Sequence, residues 1–179
     1  MPRYAALLRA INVGGHTVKM DELRKLFEAV PLRRVESVIA SGNILFESTS
    51  TDVAKLETRI EQRLEKGLGY EVGTFVRTGP ELAAIAALEP FTLADDDKVQ
   101  VIFTRTPLSA ESRARVLALR NGYDEFFVEG REIYWRTRGL ISGSQIKPAE
   151  FARAVSAPGT ARNVTTVRKL AAKLAGDVG

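Results

Sequence analysis

Cysteine is absent from the 179 residues, and histidine and tryptophan occur once each. Without cysteine there is no disulfide scaffold, no thiol nucleophile and no thiolate-bound zinc, and a reducing compartment suits the chain. The lone His16 leaves no carboxylate–histidine spacing from which a transition-metal centre could be built. Long apolar runs are missing too, none approaching the ~18–20 residues of a membrane span. Met1-Pro2-Arg3-Tyr4 runs straight into a strand pattern, with no apolar segment and small-residue cleavage site of a secretory leader. These absences give the expectation of a cytoplasmic protein without membrane attachment. The adjacent glycines Gly14 and Gly15 fit neither G-x-G-x-x-G nor G-x-x-x-x-G-K-[ST], so neither a dinucleotide fingerprint nor a phosphate-binding P-loop is read, and no cofactor is implied.

What is present is ordinary globular material, 45% hydrophobic and 27% charged, enough for one medium domain or two small units. Charge is unevenly spread. Residues 1–35 carry seven basic and three acidic side chains, residues 36–135 eleven and seventeen, and residues 136–179 eight and two. Basic ends around an acidic middle suggest a cationic face that attracts phosphate or carboxylate. The plainer reading is a solvated basic helix at the end of the chain.

Periodicity orders the elements. Five consecutive apolar or aromatic residues, Tyr4 to Leu8, predict a central strand over 3–9 buried on both faces. Met20, Leu23, Leu26, Phe27 and Val30 recur at helical spacing, and Pro31 stops that helix. Strands follow over 34–39 and 43–47 around the turn Ser41-Gly42-Asn43. A helix over 52–66 with a loop-supplied N-cap and the stop signals Gly67 and Gly69 comes next, then a strand over 70–77. This is β-α-β-β-α-β, the split βαβ or ferredoxin-like order. Thr78-Gly79-Pro80-Glu81 has capping-box spacing and opens a helix over 80–88. Glu89-Pro90 and the acidic run Asp95-Asp96-Asp97 read as a linker. The second half restarts with a strand over 98–104, a helix over 109–120, and a hairpin of 125–128 and 131–136 around Glu129-Gly130-Arg131. After Arg136 the order departs from the first unit: loop over 138–145, helix over 148–155, loop over 156–159, and a last helix over 163–175. The expected fold is therefore α+β, with two tandem ferredoxin-like units, the second degenerate, and extra C-terminal helices. The expected division is 1–89, a linker at 90–97, and 98–179.

Split βαβ topology puts the loop leaving the first strand and the turn between the second and third at one end of the sheet. Asn12, Gly14 and Gly15 should then lie beside Ser41 and Asn43, where the first helix opens its N-terminus. Unpaired backbone N–H groups and the helix dipole favour an anion there. Arg9 and Lys19 add charge, and Asn12, Ser41 and Asn43 add neutral hydrogen bonds. Against this stands the reading of the glycines as a plain turn and of Ser-Gly-Asn as ordinary hairpin chemistry.

A set of segments resembles one known family. They are Leu7-Leu8-Arg9-Ala10-Ile11-Asn12-Val13-Gly14-Gly15, Val18-Lys19-Met20 with Leu23, Ser41-Gly42-Asn43, and Thr160-Ala161-Arg162-Asn163 with Thr166, Val167 and Leu170. The family is domain-of-unknown-function family 1697, small and mostly bacterial proteins. The resemblance runs from about Tyr4 to Leu174. It implies an α+β fold with ferredoxin-like subunits and no established activity. Where the family commonly has a tryptophan after the late Arg-Asn pair, this chain has Val164, which argues against an aromatic stacking on a ligand there. The position of His16 varies in the family, which lowers it as a base. The resemblance also points to Arg162 and Asn163, opening the last helix in the most basic third of the chain, as ligand-binding residues, Arg162 being a bidentate carboxylate or phosphate donor.

Other chemistries are weaker. Asp95 to Asp97 could hold Mg²⁺ or Ca²⁺, but an acid run beside proline is more simply a solvated linker. Serine hydrolysis through His16 and Ser41 lacks a nucleophile elbow. Asp21 or Glu22 as general acid–base is better explained as a helix-dipole partner. The sequence names no reaction. Its best-supported reading is binding of a small anionic ligand, phosphate-bearing compounds among the candidates, by Arg9, Asn12, Gly14, Gly15, Lys19, Ser41, Asn43, Arg162 and Asn163. One alternative is an RNA- or DNA-binding module using the basic ends and the sheet aromatics Phe46, Phe75, Phe103, Tyr134 and Trp135. Another is a homodimeric interaction protein with no ligand.

Overall fold

The computed structural model describes residues 1–9, 17–39 and 42–176. The chain divides into two compact units, Met1–Ala84 with Arg168–Gly179, and Ile85–Val167. The sequence-based division keeps the whole last helix with the second half, whereas here its later part belongs with the first. Leu174 lies against Gly79, and Lys173 reaches Glu36 at 3.8 Å.

In the first unit β1 (Arg3–Arg9), α1 (Met20–Glu28), β2 (Arg33–Ser37), β3 (Asn43–Glu47), α2 (Val53–Leu68) and β4 (Gly73–Thr78) follow in that order. The sheet is antiparallel throughout, in the order β2-β3-β1-β4. Tyr4 to Leu8 are all buried, as their unbroken apolar run requires of an inner strand. On one face Tyr4, Ala6, Leu8, Ile44, Phe46 and Val76 form a core with Leu23 and Phe27 of α1 and Leu56, Ile60 and Leu64 of α2. Tyr4 stacks on Phe46 at 5.5 Å and donates to the Ser50 carbonyl at 2.7 Å.

Local signals place the helix ends. Asp52 accepts from Lys55 N at 3.0 Å, and Gly69 ends α2 in the left-handed region at φ +83°. Thr78 and Glu81 make a reciprocal capping box at 2.8 and 3.1 Å, opening α3 (Gly79–Ala87). Along β4, Thr74 N donates to Glu61 at 2.9 Å, Val76 N to Glu57 at 2.9 Å and Thr78 N to Glu81 at 2.8 Å. Alternate strand N–H groups that no neighbouring strand reaches thus find carboxylates.

The second unit holds β5 (Lys98–Thr104), α4 (Ala110–Ala118), β6 (Asp124–Glu129), β7 (Glu132–Thr137), α5 (Pro148–Val155) and β8 (Gly159–Asn163), and α6 (Val164–Gly176) begins in it. Its sheet is antiparallel in the order β6-β7-β5-β8. Two expectations are corrected here. The segment read as loop and helix cap, 156–163, contains β8, paired with β5 from Gln100↔Asn163 to Thr104↔Gly159. The second unit therefore does not degenerate after its hairpin; it carries a full four-stranded sheet. Gly-Thr-Ala-Arg-Asn has no apolar run because β8 pairs on one side only and buries Thr160 alone. A short one-turn helix, Ile141–Gly143, also replaces part of the expected loop. The turn glycine of the hairpin, Gly130, sits at φ +57° as its position demands.

Gly159 explains the close pairing of β8. A Cβ there would meet the Phe103 carbonyl oxygen at 3.0 Å and Ile102 Cγ2 at 3.1 Å. Gly159→Val is expected to destabilise the protein by about 1–3 kcal/mol through overpacking. Urea unfolding checks this; an unchanged midpoint would show that β8 yields without cost.

Among the described residues no helix is long and apolar enough to cross a membrane.

Candidate functional site

Register brings Arg9 and Asn43 of the first unit to one end of its sheet. Leu7 pairs with Asn43, and Leu8 N donates to the Gly42 carbonyl at 2.8 Å. Val38 N closes the hairpin on the Asn43 carbonyl at 2.9 Å. The β2–β3 turn therefore arrives where β1 finishes, and Arg9 emerges there into solvent after five buried residues. Arg9 lies opposite Gly73, and a Cβ on Gly73 would sit 3.4 Å from Arg9 Cβ and 3.8 Å from Arg9 Cδ. Both are ordinary van der Waals separations, so Arg9 does not require a glycine at 73.

Asn43 is buried, at 3% exposure. Lys19 is exposed and occupies the N-cap of α1 with extended backbone and no side-chain hydrogen bond to the helix. Asp21 and Glu22 follow in the first turn, both exposed, with Asp21 4.0 Å from Arg24. They are dipole partners in the open, not carboxylates held in a catalytic pocket. Ile39, beside the turn, has φ +63° and is 48% exposed. A β-branched residue in the left-handed region stores roughly 1–3 kcal/mol of strain.

Four members of the expected set, Asn12, Gly14, Gly15 and Ser41, lie outside the described residues, as does His16. Arg162 and Asn163 belong to the second unit. Asn163 Oδ1 accepts from Thr166 N at 2.8 Å and so caps α6. Arg162 sits in β8, half-buried, donating to Thr160 Oγ1 and the Ala161 carbonyl, each at 2.8 Å. Burial pulls its pKa down to about 10, which leaves it charged at neutral pH.

The sheet aromatics are placed differently from what base stacking needs. Phe46, Phe75, Phe103 and Tyr134 are fully buried. Trp135 is half-buried against Phe151 at 4.9 Å and Phe126 at 5.1 Å, and its Nε1 donates to Asp124 at 2.8 Å. These rings fill cores instead of offering π-faces to nucleotides. Asp97 of the acidic run has a buried side chain that receives Arg138 and Ala94 N at 2.8 and 2.9 Å, the role of a turn anchor.

The family model described as protein of unknown function (DUF1697) matches residues 1–134. The late segment around Arg162 and Asn163 falls beyond that match. Among solved structures, the chain is similar to the conserved bacterial protein SP0830 from Streptococcus pneumoniae. Identity is 27% and the TM-score 0.76, over 98% of this chain and 99% of that one. No curated protein matches the chain.

Proposed function

Because the chain belongs to the DUF1697 family of proteins of unknown function, a name that carries no activity, we propose a function from the geometry. The first unit binds a small anionic, phosphate- or carboxylate-bearing ligand at the end of its sheet where β1 stops. The observation that carries this reading is the junction of Leu8 N with Gly42 O at 2.8 Å, which sets the hairpin turn beside the emerging Arg9. Arg9 supplies a planar donor fork and Lys19 a mobile charge at a helix start, while Asn43 offers a buried amide from the turn. Asn12, Gly14, Gly15 and Ser41 belong to the same proposal through their place in the chain. We further read both units as ferredoxin-like. The orders β2-β3-β1-β4 and β6-β7-β5-β8, with helices between their strands, support that reading.

Inorganic phosphate titrated into the labelled protein is expected to shift the amide resonances of Arg9, Lys19, Gly42 and Asn43. Arg9→Gln and Lys19→Gln should each weaken binding about tenfold, the loss of one charge-assisted contact. Shifts absent from these four amides, or affinity indifferent to both substitutions, would sink the reading.

A further inference from the structure

We infer that the first unit carries a second anion site, a cleft between α2 and the C-terminal end of α1 that takes a phosphate group. The cleft is open to solvent, has a volume of about 280 Å³ and is lined by Ala29, Val30, Arg59, Gln62, Arg63 and Lys66. The last four recur at i, i+3, i+4 and i+7, one face of a helix. Three of the six lining residues are cations and none is an acid.

Two observations point to a ligand. First, among the described residues the side chains of Arg59, Gln62, Arg63 and Lys66 make no hydrogen bond or ion pair, although α2 also carries Glu57, Glu61 and Glu65. Two of those acids are engaged elsewhere, Glu57 with Val76 N and Glu61 with Thr74 N, both at 2.9 Å. Like charges stacked one turn apart repel each other, so an uncompensated row is electrostatically unfavourable until an anion joins it. Second, Nε of Arg63 is buried and has no hydrogen-bond partner. Nε of Arg3, Arg77 and Arg136 is in the same state, so what sets Arg63 apart is its place in the lining of the cleft. A phosphate in the cleft would meet the terminal nitrogens of Arg63, with Arg59 and Lys66 beside them. The volume suits a phosphate, a pyrophosphate or the phosphorylated end of a small molecule, and is small for a whole nucleotide.

The competing role for these cations is to face the C-terminal end of α1, where Ala29 and Val30 close the helix. That role predicts a loss of stability on neutralisation with no effect on ligand. The test uses the full chain with inorganic pyrophosphate as probe, read by amide shifts and calorimetry. Shifts are expected at Ala29, Val30 and residues 59–66. Arg59→Gln with Arg63→Gln should weaken this event by about a hundredfold, two charge-assisted contacts at about tenfold each, while the shifts at Arg9 and Asn43 persist. Arg9→Gln should leave the α2 shifts unchanged, which separates failure of this site from failure of the one at the end of β1. Should Arg63 fold poorly when changed, Arg59→Gln with Lys66→Gln, both exposed, gives the same reading. No shift along α2, or affinity unaltered by either double variant, would overturn the inference.

Discussion

Phe27→Ala is expected to lower stability by about 3–5 kcal/mol, with a fall in Tm of roughly 10 °C. Phe27 is fully buried, its ring 6.1 Å from that of Phe46 in the middle of β3. The nine residues of α1 are too few to hold a helix alone in water. Leu23 and Phe27 are its two buried residues, so they fasten it to the sheet. Removing the ring leaves a cavity that the surrounding strands can only partly close. It also loosens the helix whose N-cap is Lys19. Anion affinity at the end of β1 should therefore fall together with stability, although Phe27 touches no ligand. Phe27→Leu, which keeps most of the volume, should cost under about 1.5 kcal/mol and spare binding. Urea unfolding of the two variants decides the point. Equal losses would mean that shape at this position matters less than the core geometry implies.

The second large effect is expected at Glu57. This carboxylate sits on α2 at 3% exposure and accepts from Val76 N at 2.9 Å. Glu57→Ala removes a hydrogen bond to a charged group and leaves a buried backbone donor without its acceptor, a cost of about 2–3 kcal/mol. Glu57→Gln keeps an oxygen in place and should recover at least half of that loss. Hydrogen exchange at Val76 gives a local reading: protection should collapse in the alanine variant and persist in the glutamine variant. Unaltered protection in Glu57→Ala would show that burial alone shields this amide.

Much of this arrangement is legible in the amino-acid sequence, for identifiable reasons. β1 is legible because five successive apolar residues suit only an inner strand. Asp52, Thr78 with Glu81, Ser109 and Gly69 announce helix ends through short-range chemistry that needs no tertiary context. β8 escapes because a lateral strand that buries one of five residues has no hydrophobic signature, and its pairing is decided by β5, more than fifty residues earlier. The same limit hides the need for glycine at 159, which is set by the Phe103 carbonyl of the paired strand. Glu57 and Arg63 look alike in sequence, as charges on a helix. Only packing separates a carboxylate turned to the sheet from a guanidinium turned to a cleft.

The carboxylates along β4 bear on how this protein meets others. β4 is a lateral strand of its sheet, and such a strand ordinarily offers its backbone as a template for a further chain. Here Thr74, Val76 and Thr78 already donate to Glu61, Glu57 and Glu81, so an incoming strand finds half of the ladder taken and meets a row of negative charge. At the opposite border, β2 breaks register between Arg33 and Glu36, and Arg34 sits at φ +49°. A kinked, arginine-bearing border is equally unsuited to extension. Both flanks of the first sheet are thus poor templates for backbone pairing.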